Sequence, residues 1–554
     1  MFKVSSEPDV YHSNVGQPLN SCLNCYPSKT TLKPSRYVNV LDFAYYGCVP
    51  WPSADGESPP FRWFADIRYT FTTPLSHHYP SIADTVLSSK QVRSTVKEVA
   101  AAENATVDMI CRRALGIIKK MKASISKAIC KTVAYILFKV FRRMMTQLLV
   151  CPAQMEQLQK AQKTGVPLVY LPLHRSHLDY LLITWTVWHW GLQLPHIASG
   201  DNLNLSGLGW VLRGAGAFFI RRRIGGELSS GSDKLYRAVL NSYITEILRR
   251  GMPLEFFLEG TRTRSGKALL PKNGLISSVV EAVKISGVIS DVYLVPVSFT
   301  YEHLAEDMFF EELLGKQKTR ESVWGSIKGM WNSIGRGRCG SVRLHFGVPV
   351  LLSATVYDNG HDQFLVHSKG AVDPYRELLP WKRGNPDSAL IRAIGTHVVY
   401  DAQRQASISI CSVVSALLLC KYSDGCCLES LTKDLVWFCD TLVTKQFDVL
   451  GWVKGKTDGN LALEILTARF LCSFCQRNDG WKCGWFRSYF VVSILCFLLF
   501  YLRWDALALA VLSHRGSEWA SYSSLIETTL IICDLLQFEI IFCKVLVCVI
   551  FKNK

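Results

Sequence analysis

Hydrophobic and polar positions divide the 554-residue chain into stretches of different rhythm. Residues 1–105 are rich in Pro, Ser and Tyr and show little periodicity before Ile82, which predicts a loop-rich N-terminal region. From Val107 to Leu149 the pattern changes. Ile110, Ala114, Ile117, Met121, Ile125, Ile129, Val133, Ile136, Val140 and Met144 recur at three or four residues, a helical stripe. Arg112, Arg113, Lys119, Lys120, Lys127, Lys131, Lys139, Arg142 and Arg143 fill the positions between. Basic amphipathic helices over 106–150 lying on an anionic bilayer fit this stripe. So does a helical hairpin packed on the protein with a solvated charged face.

Between 165 and 350 short apolar runs are bounded by Gly, Pro or charge: 166–173, 194–200, 217–223, 253–260, 292–299 and 341–350. Helical patterns at 232–250 and 273–286 separate several of them. Strands alternating with helices predict an α/β fold, a mostly parallel mixed sheet flanked by helices, with a catalytic domain over 151–365. Residues 366–475 read as a helical region. The apolar run 406–420 in it is too short to span a bilayer. Residues 476–554 form a hydrophobic, cysteine-rich tail, in which 489–512 fits one spanning helix. The stretch 525–551 is interrupted by Glu527, Asp534, Glu539 and Lys544.

Composition narrows the partners. Sixty-two Lys and Arg against 45 Asp and Glu give a net charge of +17, which favours an anionic partner. Without a long basic run or a nucleic-acid module, phosphorylated substrates or an anionic membrane surface fit better than nucleic acid. The 19 cysteines follow no framework, and the start MFKVSSEPDV carries neither a secretory apolar stretch nor an Arg-rich transit pattern. Reduced thiols facing the cytosol are expected. The C-x-x-C pairs Cys22/Cys25 and Cys472/Cys475 lie in dissimilar surroundings without nearby His pairs, so no shared zinc site is expected.

Two strings carry the chemistry, HRSHLD at 174–179 and FLEGTRTRSGK at 257–267. Five helical residues turn about 500°, so His174 and Asp179 would face apart within one helix. They meet only if His174 lies in the loop leaving a strand and Asp179 enters the next helix. Asp179 can then fix the imidazole tautomer while the other nitrogen takes a proton from a hydroxyl. Asp179 as a simple N-cap, and a metal site of His174, His177 and Asp179, are the alternatives. In the second string Gly260 permits a tight turn, and Thr261, Arg262, Arg264 and Lys267 can converge on an anion. Glu259 can orient a cation or a substrate hydroxyl. Arg221, Arg222 and Arg223 follow another strand, where one or two of the three face the pocket. There is no Walker loop, G-x-S-x-G elbow or dinucleotide fingerprint. A base without a nucleophile fits direct attack by a substrate hydroxyl on an activated acyl group such as a thioester.

HRSHLDYLL, GAFFIRRR, FLEGTRTRSGK and VPVSFTYE, in this order, resemble the four blocks of the glycerolipid acyltransferases, and more narrowly the animal glycerol-3-phosphate acyltransferases of mitochondrial type. IASGDNLNL at 197–205 fits that subgroup. The resemblance runs from about residue 100 to 470. It implies the glycerolipid acyltransferase fold and acyl transfer from acyl-CoA, as co-substrate without a cofactor or metal, to the sn-1 hydroxyl of glycerol 3-phosphate, giving lysophosphatidate. By similarity His174 is the general base and Asp179 its partner. Arg221 to Arg223, Glu259, Gly260, Thr261 and Arg262 would bind glycerol phosphate, and Pro296 belongs with the acyl-CoA side. Membrane association is implied, at the mitochondrial outer membrane facing the cytosol, with the endoplasmic reticulum as the alternative. The rival acceptor is dihydroxyacetone phosphate, and an inactive membrane scaffold retaining the fold is the alternative from another class. Family members of this type are expected to continue beyond the end of this chain. The sequence after about Cys475 is read as unlike them, an aberrant or alternative C-terminus.

Overall fold

The computed structural model describes residues 37–43, 62–75, 77–203, 208–221, 231–262, 268–284, 289–302, 340–353, 386–422, 427–444, 447–450, 452, 476–477 and 480–481. Cys22, Cys25, Cys472, Cys475 and the apolar stretches 489–512 and 525–551 lie outside the described residues, as do Arg222, Arg223, Arg264 and Lys267.

The sequence runs read as strands form one sheet of nine strands among the described residues. These are β1 (Val38–Asn39), β2 (Gln147–Val150), β3 (Leu168–Pro172), β4 (His196–Gly200), β5 (Ala217–Ile220), β6 (Leu254–Glu255), β7 (Tyr293–Tyr301), β8 (Ser341–Phe346) and β9 (Val350–Leu351). Their order is β1-β2-β8-β7-β3-β6-β4-β5, with β9 also on β7. Strands β7, β3, β6, β4 and β5 run parallel, while β8 pairs antiparallel with β7. Side chains alternate between two cores, as the pleat requires. On β3, Val169 and Leu171 enter one apolar core, and Leu168 and Tyr170 the other. Helices cover both faces, which is why β3 is buried at every position.

Proline in a central strand needs a reason, because it cannot donate to the ladder. Pro296 on β7 lies where β8 has ended and β9 has not begun, and its carbonyl accepts the Gly347 N–H at 2.7 Å. No donor is needed there. Pro296 is buried within the sheet, paired in register with Leu171.

The N-terminal expectation is corrected. Within 1–105 the described residues include helices Arg62–Thr72, Ala83–Ser88 and Lys90–Ala102, and Val86, Val92, Val96 and Val99 join the first core. Their apolar positions are spaced for helices, but Ser, Thr and charged residues between them obscure the stripe. The stripe from 107 to 149 is two helices, Val107–Met121 and Lys127–Met144. In the first, Thr106 caps the Met109 N–H, and Ile110, Ala114, Ile117, Ile118 and Met121 are buried in the protein. Each larger side chain among them contributes roughly 1.5–3 kcal/mol. The link 122–126 is pinned by Ser124 and Ser126 N–H groups donating to the carbonyls of Arg213 and Gly214. That break shifts the helical phase. The second helix buries Cys130, Ala134, Phe138, Phe141 and Met144, and Ile136, placed on the stripe by the sequence, is 53% exposed.

The helix Pro386–Gln405 packs Ile391, Ile394, Val398, Val399 and Ala402 into the first core, so the sheet's packing extends beyond the 151–365 boundary. Strand β2, before residue 151, extends it the other way. Helices Ile410–Cys420 and Leu428–Thr444 form a third, smaller core with the strand pair Ile408–Ser409 and Val449–Leu450. Buried polar groups join it to the sheet: Arg343 pairs with Asp448, and His345 Nε2 lies 2.9 Å from Ser407 Oγ. Among the described residues, no helix is long and apolar enough to cross a membrane.

Candidate active site

The five parallel strands present their carboxyl ends at one edge, and the order reverses around β3, the place where such sheets leave a crevice. Past β3, Leu173 still donates to Val297 O before the chain turns. Leu178 N donates to Ser176 Oγ and Asp179 N to Ser176 O, shaping the turn into the helix Asp179–His189. His174 is thus in the loop and Asp179 in the first helical turn. This is the arrangement that lets residues five apart meet. His174 Nδ1 lies 3.1 Å from Asp179 Oδ2.

Asp179 is fully buried, and its charge is satisfied from several sides. Oδ2 also accepts the N–H groups of Arg175 at 2.6 Å and Ser176 at 2.9 Å, and Oδ1 accepts the Tyr301 hydroxyl at 2.5 Å. It therefore fixes the loop and the imidazole at once. The N-cap alternative is corrected: Leu178 holds the cap position, and Asp179, the first helical residue, accepts from the upstream amides of Arg175 and Ser176 rather than from the helix's own first turn. The His174 ring lies against Phe257, centroids 4.0 Å apart. Burial lowers the His174 pKa, and the charges of Arg262 and Arg175 push the same way, while the bond to Asp179 opposes them. The net direction favours a neutral imidazole, the form a base needs.

The turn after β6 brings the second string to the same edge. Glu259 is 1% exposed. Its Oε2 accepts the His174 N–H at 2.5 Å and its Oε1 the Leu269 N–H at 2.8 Å, so it ties the His174 loop to the segment that follows the Arg262 turn. Burial raises its pKa to about 7 against the lowering charge of Arg175 and the two amide bonds. Gly260 has φ +62°, a conformation that favours glycine, and a Cβ there would meet the Lys272 side chain at 2.6 Å. Thr261 is exposed and Arg262 buried close enough for its charge to act on His174. Arg221, at the end of β5, lies over the Tyr236 ring at 4.7 Å and 4.0 Å from Asp233.

Sequence reasoning missed four participants: Tyr301, Phe257, Lys272 and Glu255. Tyr301 was legible in principle, because period-two alternation puts 295, 297, 299 and 301 on one face. Glu255 is fully buried on β6, and neither oxygen has a hydrogen-bond partner among the described residues. Burial, then the charge of Asp179, holds its carboxyl well above the usual range, a direction that favours the protonated form. Among the described residues, no group of three His, Cys, Asp or Glu is placed to hold an ion.

Comparison with known proteins identifies the family. The acyltransferase family model matches residues 153–300, and the model of the glycerol-3-phosphate acyltransferase C-terminal region matches 309–480. A probable mitochondrial glycerol-3-phosphate acyltransferase of Caenorhabditis elegans is 43% identical over 559 residues, 97% of this chain and 77% of that protein. The mitochondrial glycerol-3-phosphate acyltransferase 1 of Mus musculus is 32% identical over 72% of this chain and 52% of its own length. A dihydroxyacetone phosphate acyltransferase of Oryctolagus cuniculus is 34% identical over 67% of this chain and 50% of its own. The chain thus spans about half the length of these mammalian relatives. The nematode match leaves too few residues over for all of 476–554 to fall outside it, which corrects the expectation that the sequence after about Cys475 is unlike members of this family. The chain belongs to the glycerol-3-phosphate acyltransferase family.

Proposed function

We propose that the protein transfers a fatty acyl group from acyl-CoA to the sn-1 hydroxyl of glycerol 3-phosphate, giving lysophosphatidate and CoA. The observation that carries this reading is the His174–Asp179 pair at 3.1 Å on the same sheet edge as the Glu259–Arg262 turn. Asp179 holds the Nδ1 proton, which leaves the His174 Nε2 lone pair free to take the proton of the attacking hydroxyl. The hydroxyl oxygen adds to the thioester carbonyl, and collapse of the tetrahedral adduct breaks the C–S bond. A thiolate leaves readily because a thiol pKa is about 8.5. The proton on His174 then passes to the departing sulfur, which restores the neutral imidazole. Arg262, with Arg221 and Lys272, supplies cations for the acceptor's phosphate; Arg222 and Arg223 are assigned the same role by the family pattern, and Arg264 and Lys267 by their place in the cation-rich string after Gly260. Pro296 is assigned to the acyl-CoA side on the same ground.

The reading extends to place. The relatives are named mitochondrial, and docking of this chain on the anionic cytosolic face of a mitochondrial membrane is consistent with that. Exposed Phe71 and Ile136, on the adjoining helices Arg62–Thr72 and Lys127–Met144, supply apolar anchors beside Lys131, whose ammonium reaches the Phe71 carbonyl at 2.6 Å. The test is turnover of acyl-CoA by the purified full chain with glycerol 3-phosphate and, separately, dihydroxyacetone phosphate. Higher kcat/KM with glycerol 3-phosphate supports the proposal. Preference for dihydroxyacetone phosphate, or no turnover with either, contradicts it.

A further inference from the structure

Tyr301 ends β7 and comes from the fourth sequence block, far along the chain from the base. Val295, Val297 and Phe299 on the same strand face the core beneath the helix Asp179–His189. Period-two alternation carries Tyr301 to that face at the carboxyl edge, where its ring stacks 6.0 Å from Phe299. Its hydroxyl donates to Asp179 Oδ1 at 2.5 Å. The three other donors, from His174, Arg175 and Ser176, all converge on Oδ2. Tyr301 therefore occupies the carboxylate oxygen turned away from the base.

We propose that Tyr301 is a positioning residue for acyl transfer, which holds Asp179 in orientation and draws charge from it so that His174 stays both aligned and neutral at working pH. The inference rests on the acyltransferase reading of the His174–Asp179 pair. Two demands on this pair conflict. A buried carboxylate beside an imidazole favours the imidazolium, which cannot act as a base, yet without the carboxylate the imidazole loses its tautomer. A phenol donating to the far oxygen withdraws negative charge from the side facing the imidazole and leaves the near oxygen in place. The charged and titratable groups around the pair act alongside it. The charges of Arg175 and Arg262 act on His174, and Glu259 and Glu255, whose carboxyls burial pushes up, lie on the β6 side.

Replacing Tyr301 with Phe keeps the ring and removes the donor. In the full chain, the acid limb of kcat/KM for glycerol 3-phosphate is expected to move upward by about half to one pH unit. That lowers kcat/KM by about three- to tenfold below the limb, with recovery as pH rises. The KM for acyl-CoA is expected to stay unchanged. Phe299→Leu, which loosens the same strand face without touching Asp179, is the control: a lower Tm and an unmoved limb are expected. NMR titration of the His174 imidazole, assigned with His174→Gln, reads the same shift without turnover. An unmoved midpoint and limb in Tyr301→Phe, or a loss that stays constant with pH, overturns the proposal. Absence of turnover in the wild type would instead sink the acyltransferase reading and leave the imidazole titration to decide the role of Tyr301.

Discussion

The Glu259 carboxylate accepts the backbone N–H of His174 at 2.5 Å, and its other oxygen accepts that of Leu269. A side chain that sequence analysis assigned to substrate thus has both oxygens engaged by the protein. A carboxamide offers one acceptor and turns its NH2 against the other amide, so Glu259→Gln breaks one link of the tie. Hydrogen bonds to charged groups are worth about 1.5–3 kcal/mol, so kcat/KM is expected to fall by roughly ten- to a hundredfold. Steady-state kinetics with varied glycerol 3-phosphate check this. A change confined to KM would return Glu259 to the substrate.

Glu259 also gives a pH signature. Its pKa is pushed up to about 7 from an ordinary value of 4.5, so between those values the folded chain binds more protons than the unfolded one. Its contribution to stability is therefore full below pH 4.5 and is lost as pH rises through 7. Denaturant titrations from pH 5 to pH 8 should show the wild type losing stability relative to Glu259→Gln. Activity should run the opposite way, since the ionised carboxylate accepts both amides.

Glu255 is fully buried on β6 with its carboxyl pushed well above the usual range, which favours the protonated form and separates its variants. Glu255→Gln keeps a neutral group of the same shape and should retain Tm and turnover within about threefold. Glu255→Lys puts an unpaired charge into a dry site and should unfold the domain or cost several kcal/mol. Thermal melts of both variants check the assignment, and equal melts would remove it.

Much of this was legible in the chain. The strand runs and the 232–250 and 273–286 helices emerged with shifts of a few residues, because their apolar rhythm is set by burial on both faces of a sheet. Helical geometry set the condition under which His174 and Asp179 can meet, a histidine in the loop and an aspartate entering the helix, and the fold meets it. What could not be read depended on partners remote in sequence. Glu259 turned inward because the amides of His174 and Leu269 arrive there, and Pro296 sits in the sheet because two short strands leave a gap opposite it. The slip at Ile136 came from a break at 122–126 whose cause, the carbonyls of Arg213 and Gly214, lies some 90 residues downstream.

Arg262 is buried where its charge acts on His174, on the loop tied by Glu259. Arg262→Ala should raise the KM for glycerol 3-phosphate by about ten- to a hundredfold, the value of a charge-assisted bond to phosphate, with a smaller effect on the KM for acyl-CoA. Arg262→Lys should recover only part of the loss, because an ammonium lacks the planar fork. Unchanged KM in the alanine variant would remove Arg262 from the phosphate site.

Burial pushes the Asp448 carboxyl up, but His345 and Arg343 outweigh it and hold it well below the usual range. Asp448→Ala strands Arg343 in the sheet-to-lobe junction and should cost about 3–5 kcal/mol. Chemical denaturation measures this, and a loss below 1 kcal/mol would mean the junction is held by apolar packing alone.

The most direct measurement compares wild type with His174→Ala in transfer of a radiolabelled acyl group from acyl-CoA to glycerol 3-phosphate. With both chains folded to the same Tm, the variant should lose about 10²- to 10⁴-fold in kcat, the usual contribution of a positioned base. Its binding of glycerol 3-phosphate should persist. Equal turnover in the two chains contradicts the account.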